Sequence, residues 1–196
     1  YWEVPAGAQT AREGSWIEGP GAGFFEVLRT KLGSLPFVAE DLGDIDDAVL
    51  GLRDSFGLPG MKVLQFAFGD DMPASPHIPH NYTQRFIAYT GTHDNNTSLG
   101  WYRTECDDAT RRRLATYAGH KVQESEVPAL LCRLALSSVA ETAIIPVQDI
   151  LGLDESARMN RPASTEGNWD WRLLPGQLTK DVGRRLRQWT EWYNRG

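Results

Sequence analysis

A chain of 196 residues with 41% hydrophobic and 10% aromatic side chains is sized for one substantial core or two small ones, and is shorter than the about 250 residues of a complete (β/α)8 barrel. Its 20 basic and 26 acidic residues leave a net charge of −6 without a basic stripe, which argues against nucleic acid as a partner. No apolar stretch reaches the roughly 18 residues of a membrane helix, and two cysteines, Cys106 and Cys132, make no disulfide framework, so no membrane is expected and a reducing, cytoplasmic setting fits.

The chain opens on Tyr1-Trp2-Glu3-Val4-Pro5, with neither an initiator Met nor a polar tail, and reads as part of something longer. Phe24, Leu28 and Leu32 form a helical stripe that stops at Gly33. The run 35–39 is short and apolar, as expected of a strand buried on both faces. Ile45, Val49, Leu52 and Phe56, spaced by four, three and four, predict a second helix that Gly57 caps and Pro59 stops. Similar apolar runs predict strands over 61–68, 86–90 and 143–150.

The interval between the last two strands is longer and holds helical patterns around 107–119 and 125–140, the second opened by Ser125 with Pro128 in its first turn. It reads as a helical insertion over about 103–142 within a βα unit. Within it, Arg111-Arg112-Arg113 reads as a solvated helix face. Residues 152–176, rich in Gly, Pro, Asn and Trp, form a long loop of functional type. Thr179 caps a final helix that carries Val182, Leu186, Trp189 and Tyr193 on one face. The expectation is four βα units of a parallel α/β fold forming a single domain over residues 1–196.

In parallel barrels the C-terminal ends of strands carry the chemistry. One such end here is Val38-Ala39-Glu40-Asp41-Leu42-Gly43. Alternation leaves open which carboxylate faces inward, and Asp41 is equally a cap for the helix that starts near Asp44. The other is Tyr89-Thr90-Gly91-Thr92-His93-Asp94-Asn95-Asn96, whose polar side chains follow a buried strand and need either a wet site or a satisfied network. A plain Gly/Asn turn with a packed His93–Asp94 pair is the competing account.

Two carboxylates converging from separate strand ends are what glycoside cleavage uses, and seven tryptophans and six tyrosines suit sugar rings as well as cores. His77, His80 and His93-Asp94 offer a rival metal set for a hydrolase. Pro73, Pro76 and Pro79 make the first pair part of an extended loop, and the helical zinc spacing is absent, so no metal is expected. Serine-nucleophile and phosphate-loop signatures are missing too, and no cofactor is expected.

Taken in order, Val38-Ala39-Glu40-Asp41-Leu42-Gly43, the segment from Phe56-Gly57-Leu58-Pro59-Gly60 through Phe68, Pro79-His80-Asn81-Tyr82 and Tyr89-Thr90-Gly91-Thr92-His93-Asp94-Asn95 resemble the 4-α-glucanotransferases, or amylomaltases, of glycoside hydrolase family 77. The stretch from Glu141 to Asp149, Arg158-Met159-Asn160-Arg161-Pro162 and Gly167-Asn168-Trp169-Asp170-Trp171-Arg172 extend the likeness over essentially the whole chain.

The resemblance implies strands five to eight, the C-terminal half, of an α-amylase-like (β/α)8 TIM barrel with a helical insertion. It implies a retaining transfer of α-1,4-glucan segments between maltooligosaccharides, with glucose and α-1,4-glucans as further partners. The family's acid/base glutamate falls on Glu40 and its transition-state-stabilising aspartate on Asp94. Sugar contacts fall on His93, Phe66, Asp70 and Asn160.

The sequence departs from the family at two places. The family's nucleophilic aspartate ends the fourth strand and falls before Tyr1, so the N-terminal half of the same barrel becomes an expected partner and the chain alone is expected to be inactive. After Arg161-Pro162 the family usually has Gly where this chain has Ala163, which bears on the loop near Asn160. The alternative function is a catalytically inactive glucan-binding or assembly fragment. An open half-barrel would also expose strand edges and self-associate.

Overall fold

The computed structural model describes residues 1–196 and places them in two units, Tyr1–Pro59 and Gly60–Gly196. In the first, strands β1 (Trp2–Glu3) and β2 (Ser15–Trp16) pair antiparallel with Trp2 opposite Trp16. Their rings meet edge to face at 5.6 Å. Helix α1 (Gly21–Leu32) ends at Gly33, whose φ of +76° only glycine adopts without strain and whose N–H closes onto the Arg29 carbonyl. Helix α2 (Asp47–Ser55) starts at Asp46, whose carboxylate accepts the Val49 N–H. Phe25 and Phe56 pack at 5.2 Å, yet neither helix buries a residue.

The strand expected over 35–39 does not form. A strand needs a ladder, and what this segment has is one backbone bond, from the Ala39 N–H to the Pro59 carbonyl at 2.8 Å. Pro36, with no N–H to give, weakens any ladder there. Asp41 is not a helix cap either: its carboxylate pairs with Arg53 of α2, whose guanidinium also holds Asp54 at 2.7 Å.

The second unit is built on a parallel sheet in the order β3 (Gly60–Val63), β4 (Phe86–Tyr89), β5 (Thr142–Ile144). Gly60 pairs with Phe86, and Ile87 with Thr142. The expected strands 61–68 and 143–150 are both shorter than their apolar runs. After Val63 the chain coils into a 3-10 turn, Leu64–Phe66, and after Ile144 it reaches Pro146, which cannot donate to a ladder and instead starts a helix.

Between β4 and β5 lie α3 (Ser98–Thr104), α4 (Asp108–Ala118) and α5 (Val127–Ser137). Thr97 and Asp107 cap the first two with side-chain oxygens. Pro128 sits in the first turn of α5 as expected, but Glu126 rather than Ser125 occupies the cap position. Arg111 and Arg113 are not merely solvated: Arg111 donates to the Tyr102 carbonyl at 3.0 Å and Arg113 to Phe68 and Asp70.

Helix α6 (Val147–Leu151) follows β5, and α7 (Lys180–Trp192) closes the chain from the Thr179 cap. The core joins Leu64, Phe68, Ile78, Ala88 and Trp101 to Leu114, Val127 and Leu131. A second cluster sets Trp189, Leu186 and Tyr193 of the C-terminal helical segment against Cys132 and Leu136.

Candidate active site

Because β3, β4 and β5 run parallel, their C-terminal ends share one edge of the sheet. The loop leaving β4 is fixed from below by buried polar contacts. Thr90 donates its hydroxyl to Asp149 at 2.5 Å, and the Ser98 N–H donates to the other oxygen of that carboxylate at 2.7 Å. Asp149 is 3% exposed. Burial pushes its carboxyl above the usual carboxylate range, while the Thr90 and Ser98 bonds pull it partly back.

Gln65, in the turn after β3, donates to the Asn96 carbonyl at 2.8 Å. That bond passes so close to Gly91 that a Cβ there would lie 2.6 Å from the Gln65 amide nitrogen. A glycine at this strand end thus lets side chain and backbone approach.

Above this floor the loop folds on itself. Asn95 accepts both the N–H and the hydroxyl of Thr92 at 2.9 Å, and the Thr92 hydroxyl accepts the Asp94 N–H at 3.3 Å. Asp94, half exposed, then receives the Asn160 side-chain amide at 2.5 Å, with His93 Nε2 at 3.4 Å from the same oxygen. Arg158 donates to the Asp94 carbonyl at 2.7 Å. The ring of Trp169 lies over His93 with centroids 5.3 Å apart and planes 34° from parallel. Trp169 has a φ of +64°, and its N–H bonds the Met159 carbonyl at 2.7 Å. Ala163, in the same loop, has a φ of +62°.

The structure therefore brings His93, Asp94 and Asn160 into contact. Phe66 and Asp70 follow β3 and have other partners. Phe66 is 45% exposed and edge-on to His77 at 5.4 Å, and Asp70 pairs with Arg113 of α4. Glu40 is exposed, in the first unit, next to the Asp41–Arg53 pair. His77 Nδ1 accepts the Val63 N–H at 3.2 Å and His80 lies 3.2 Å from the Pro73 carbonyl. No group of three or more His, Cys, Asp or Glu side chains is placed to hold a metal ion.

Arg158, Trp169, Gln65 and Asp149 have no assigned role in the sequence patterns. Arg158 and Trp169 lie inside recognisable motifs, and their contacts to Asp94 and His93 arise only on folding. Asp149 sits in a run that looks like strand, where a lone buried carboxylate is itself a signal that it needs partners.

A family model described as 4-alpha-glucanotransferase, of glycoside hydrolase family 77, matches residues 1–178. The 4-alpha-glucanotransferase of Thermus thermophilus is 50% identical over 196 residues, covering 97% of this chain and 39% of its own length. That of Streptococcus pneumoniae is 50% identical over 198 residues, covering 100% of this chain and 38% of its own length. The chain thus spans about two fifths of the length of the curated relatives it matches. Among solved structures, amylomaltase from Streptococcus agalactiae in complex with acarbose superposes over 100% of this chain and 39% of its own, with a TM-score of 0.94 and 38% identity. Amylomaltase from Corynebacterium glutamicum matches 86% of this chain and 29% of its own at a TM-score of 0.65 and 16% identity, a likeness of fold alone.

Proposed function

The chain belongs to the 4-alpha-glucanotransferase family, and from that membership we propose that the protein moves α-1,4-glucan segments between maltooligosaccharides by a retaining double displacement. On this proposal residues 1–196 are the C-terminal half of a (β/α)8 barrel, with β3, β4 and β5 as its sixth to eighth strands, 35–39 at the position of its fifth, and a helical insertion at about 103–142. The N-terminal half of that barrel, outside these residues, supplies the nucleophilic aspartate.

That aspartate attacks the anomeric carbon while protonated Glu40 gives its proton to the departing glucan oxygen, which breaks the glycosidic bond and leaves a covalent glycosyl-enzyme. Glu40, now ionised, takes the proton of an incoming sugar hydroxyl, whose oxygen attacks the same carbon and releases the nucleophile. The Asp94 carboxylate bonds the sugar hydroxyls more strongly as the ring flattens toward an oxocarbenium ion. His93, Phe66, Asp70 and Asn160 orient the sugar. Transfer in place of hydrolysis requires that water stay out until an acceptor arrives.

The single observation that carries the proposal is the family match over residues 1–178, and the Asp94 carboxylate held at 2.5 Å by Asn160, beside His93, at the C-terminal edge of a parallel sheet accords with it. A cytoplasmic setting accords with Cys106 and Cys132, both buried and unbridged. Burial pushes the Cys106 thiol up to about 12 and raises Cys132 as well, so neither is a reactive thiolate.

The test is the full-length protein, these residues with the coding sequence that precedes them, incubated with maltotriose. Glucose plus longer maltooligosaccharides is the expected result. Unchanged maltotriose would leave only a glucan-binding or assembly role. Glu40→Gln should lower turnover by about three orders of magnitude or more with the melting temperature retained, since a group that must both give and take a proton is lost. Wild-type-like transfer in that variant would overturn the acid/base assignment.

A further inference from the structure

We infer that Arg158 is a positioning residue that sets the Asp94–Asn160 contact by gripping the backbone on both sides of it. The inference rests on the glucanotransferase assignment of Asp94. Arg158 follows a single 3-10 turn, Glu155–Ala157, and its side chain is only 19% exposed. Its guanidinium faces three groups at once. One Nη donates to the Asp94 carbonyl at 2.7 Å, Nε donates to the Asn160 carbonyl at 2.8 Å, and the other Nη lies 3.3 Å from Glu105 Oε1. The Asn160 amide in turn reaches Asp94 Oδ1 at 2.5 Å.

These contacts close a ring. Asp94 and Asn160 touch through their side chains and are tied through their backbones to one rigid plane. Sixty-six residues of sequence separate them, so without such a tie the loop carrying Asn160 would be free to drift relative to β4. Arg158 does not touch the Asp94 carboxylate in these contacts, and its charge is matched by Glu105, which is itself held by the Asn96 amide at 2.9 Å. Its influence on the site therefore runs through placement. A lysine would keep the charge but cannot present donors to three acceptors in a fixed plane.

The test is a mutant cycle in the full-length protein, read as initial rates on maltotriose with melting temperatures alongside. Arg158→Lys should lower kcat by about 10- to 100-fold with KM changed less than about threefold, the signature of a contact that matters as the transition state forms. In an Asn160→Ala background the same change should cost less than about threefold, because the contact it positions is already gone.

If Arg158→Lys fails to fold, Glu105→Gln takes its place. It turns the charged contact on one prong of the guanidinium into a neutral one without touching either tied carbonyl, and the expected kcat loss is about three- to tenfold, again shrinking toward none in the Asn160→Ala background. Wild-type kcat in the single variants, or equal losses in both backgrounds, would overturn the positioning role while leaving the glucanotransferase assignment intact. A wild-type protein inert on maltotriose would remove that assignment and this inference with it.

Discussion

Asp94 and Glu40 both lie just past apolar runs, and their surroundings differ in kind. Asp94 stands on a loop braced from below by Thr90–Asp149 and Gln65–Asn96 and from above by Asn160 and Arg158. Glu40 lies in a segment whose backbone is held by the Ala39–Pro59 bond and whose neighbour Asp41 is engaged with Arg53. The contrast reaches down to the cores. The second unit packs Leu64, Phe68, Leu114, Val127 and Leu131 to full burial, whereas in α1 and α2 the inward residues, such as Phe25 and Leu52, are only half-buried. A preorganised carboxylate needs a core beneath its loop, because each fixed backbone residue costs about 1–2 kcal/mol of conformational entropy.

The largest effect this contrast predicts is in hydrogen exchange. In residues 1–196 on their own, amides of α5 and β4 should exchange about a thousandfold or more slowly than those of α1, once corrected for intrinsic rates, since local opening of an element with no fully buried residue costs little. Equal protection in α1 and α5 would erase the distinction between the two units.

A matched pair of substitutions sharpens it. Gly100, in α3, has no room: a Cβ would lie 2.4 Å from Asn96 Oδ1 and 2.9 Å from the Glu155 Cα. Gly51, in α2, has nothing within 4 Å. Gly100→Ala should destabilise by about 2–3 kcal/mol through overpacking, visible as a lower urea midpoint. Gly51→Ala should stabilise by about 0.5–1 kcal/mol through helix propensity. Opposite signs support the contrast, and a loss at both positions would show that α2 is packed as tightly as α3.

Asp149 offers a subtler probe of the braced loop. Its carboxyl is raised by burial, so the folded protein binds that proton more tightly than the unfolded chain does. The stabilisation from protonation is therefore fully present below the ordinary carboxylate pKa of 3.8 and is lost as pH rises through the raised folded value. Asp149→Asn cannot titrate. In urea melts from about pH 4 to pH 8, wild-type stability should fall relative to the variant as pH increases. A stability difference flat in pH, or one of the reverse slope, would show that Asp149 does not carry a raised pKa.

What was legible in the sequence follows from how local each cause is. Helix α7 could be read because its cap, Thr179, and its periodic face lie within a few residues of one another, and α4 could be read from a local helical pattern alone, its Asp107 cap emerging with the structure. The missing strand over 35–39 could not, because a ladder depends on a distant partner. The split after Ile144 had a local sign in Pro146 that an apolar run outweighed. At the site, motif resemblance pointed to His93, Asp94 and Asn160, whose contact the structure shows. The bracing by Asp149 was hidden because its partners Thr90 and Ser98 lie 59 and 51 residues away.

The smallest effect concerns Ala163, where the family resemblance led to the expectation of a glycine. The departure has a physical counterpart: Ala163 has a φ of +62°, in the left-handed region where a Cβ crowds the following carbonyl. Nothing in the loop excuses the strain, since the residue is exposed. Its neighbours Arg161 and Asn168 hold the loop instead, with the Arg161 N–H donating to the Asn168 side chain at 2.8 Å. Ala163→Gly should remove about 1–2 kcal/mol of backbone strain and give back part of it through the freer unfolded chain, for a net gain of about 0.5–1 kcal/mol in urea melts. Trp169, at a φ of +64°, carries comparable strain with a bulky side chain, yet its ring covers His93 and its N–H is bonded to Met159. Trp169→Gly should therefore lose more in packing than it gains in backbone freedom, so that two left-handed residues six positions apart respond to the same substitution with opposite signs.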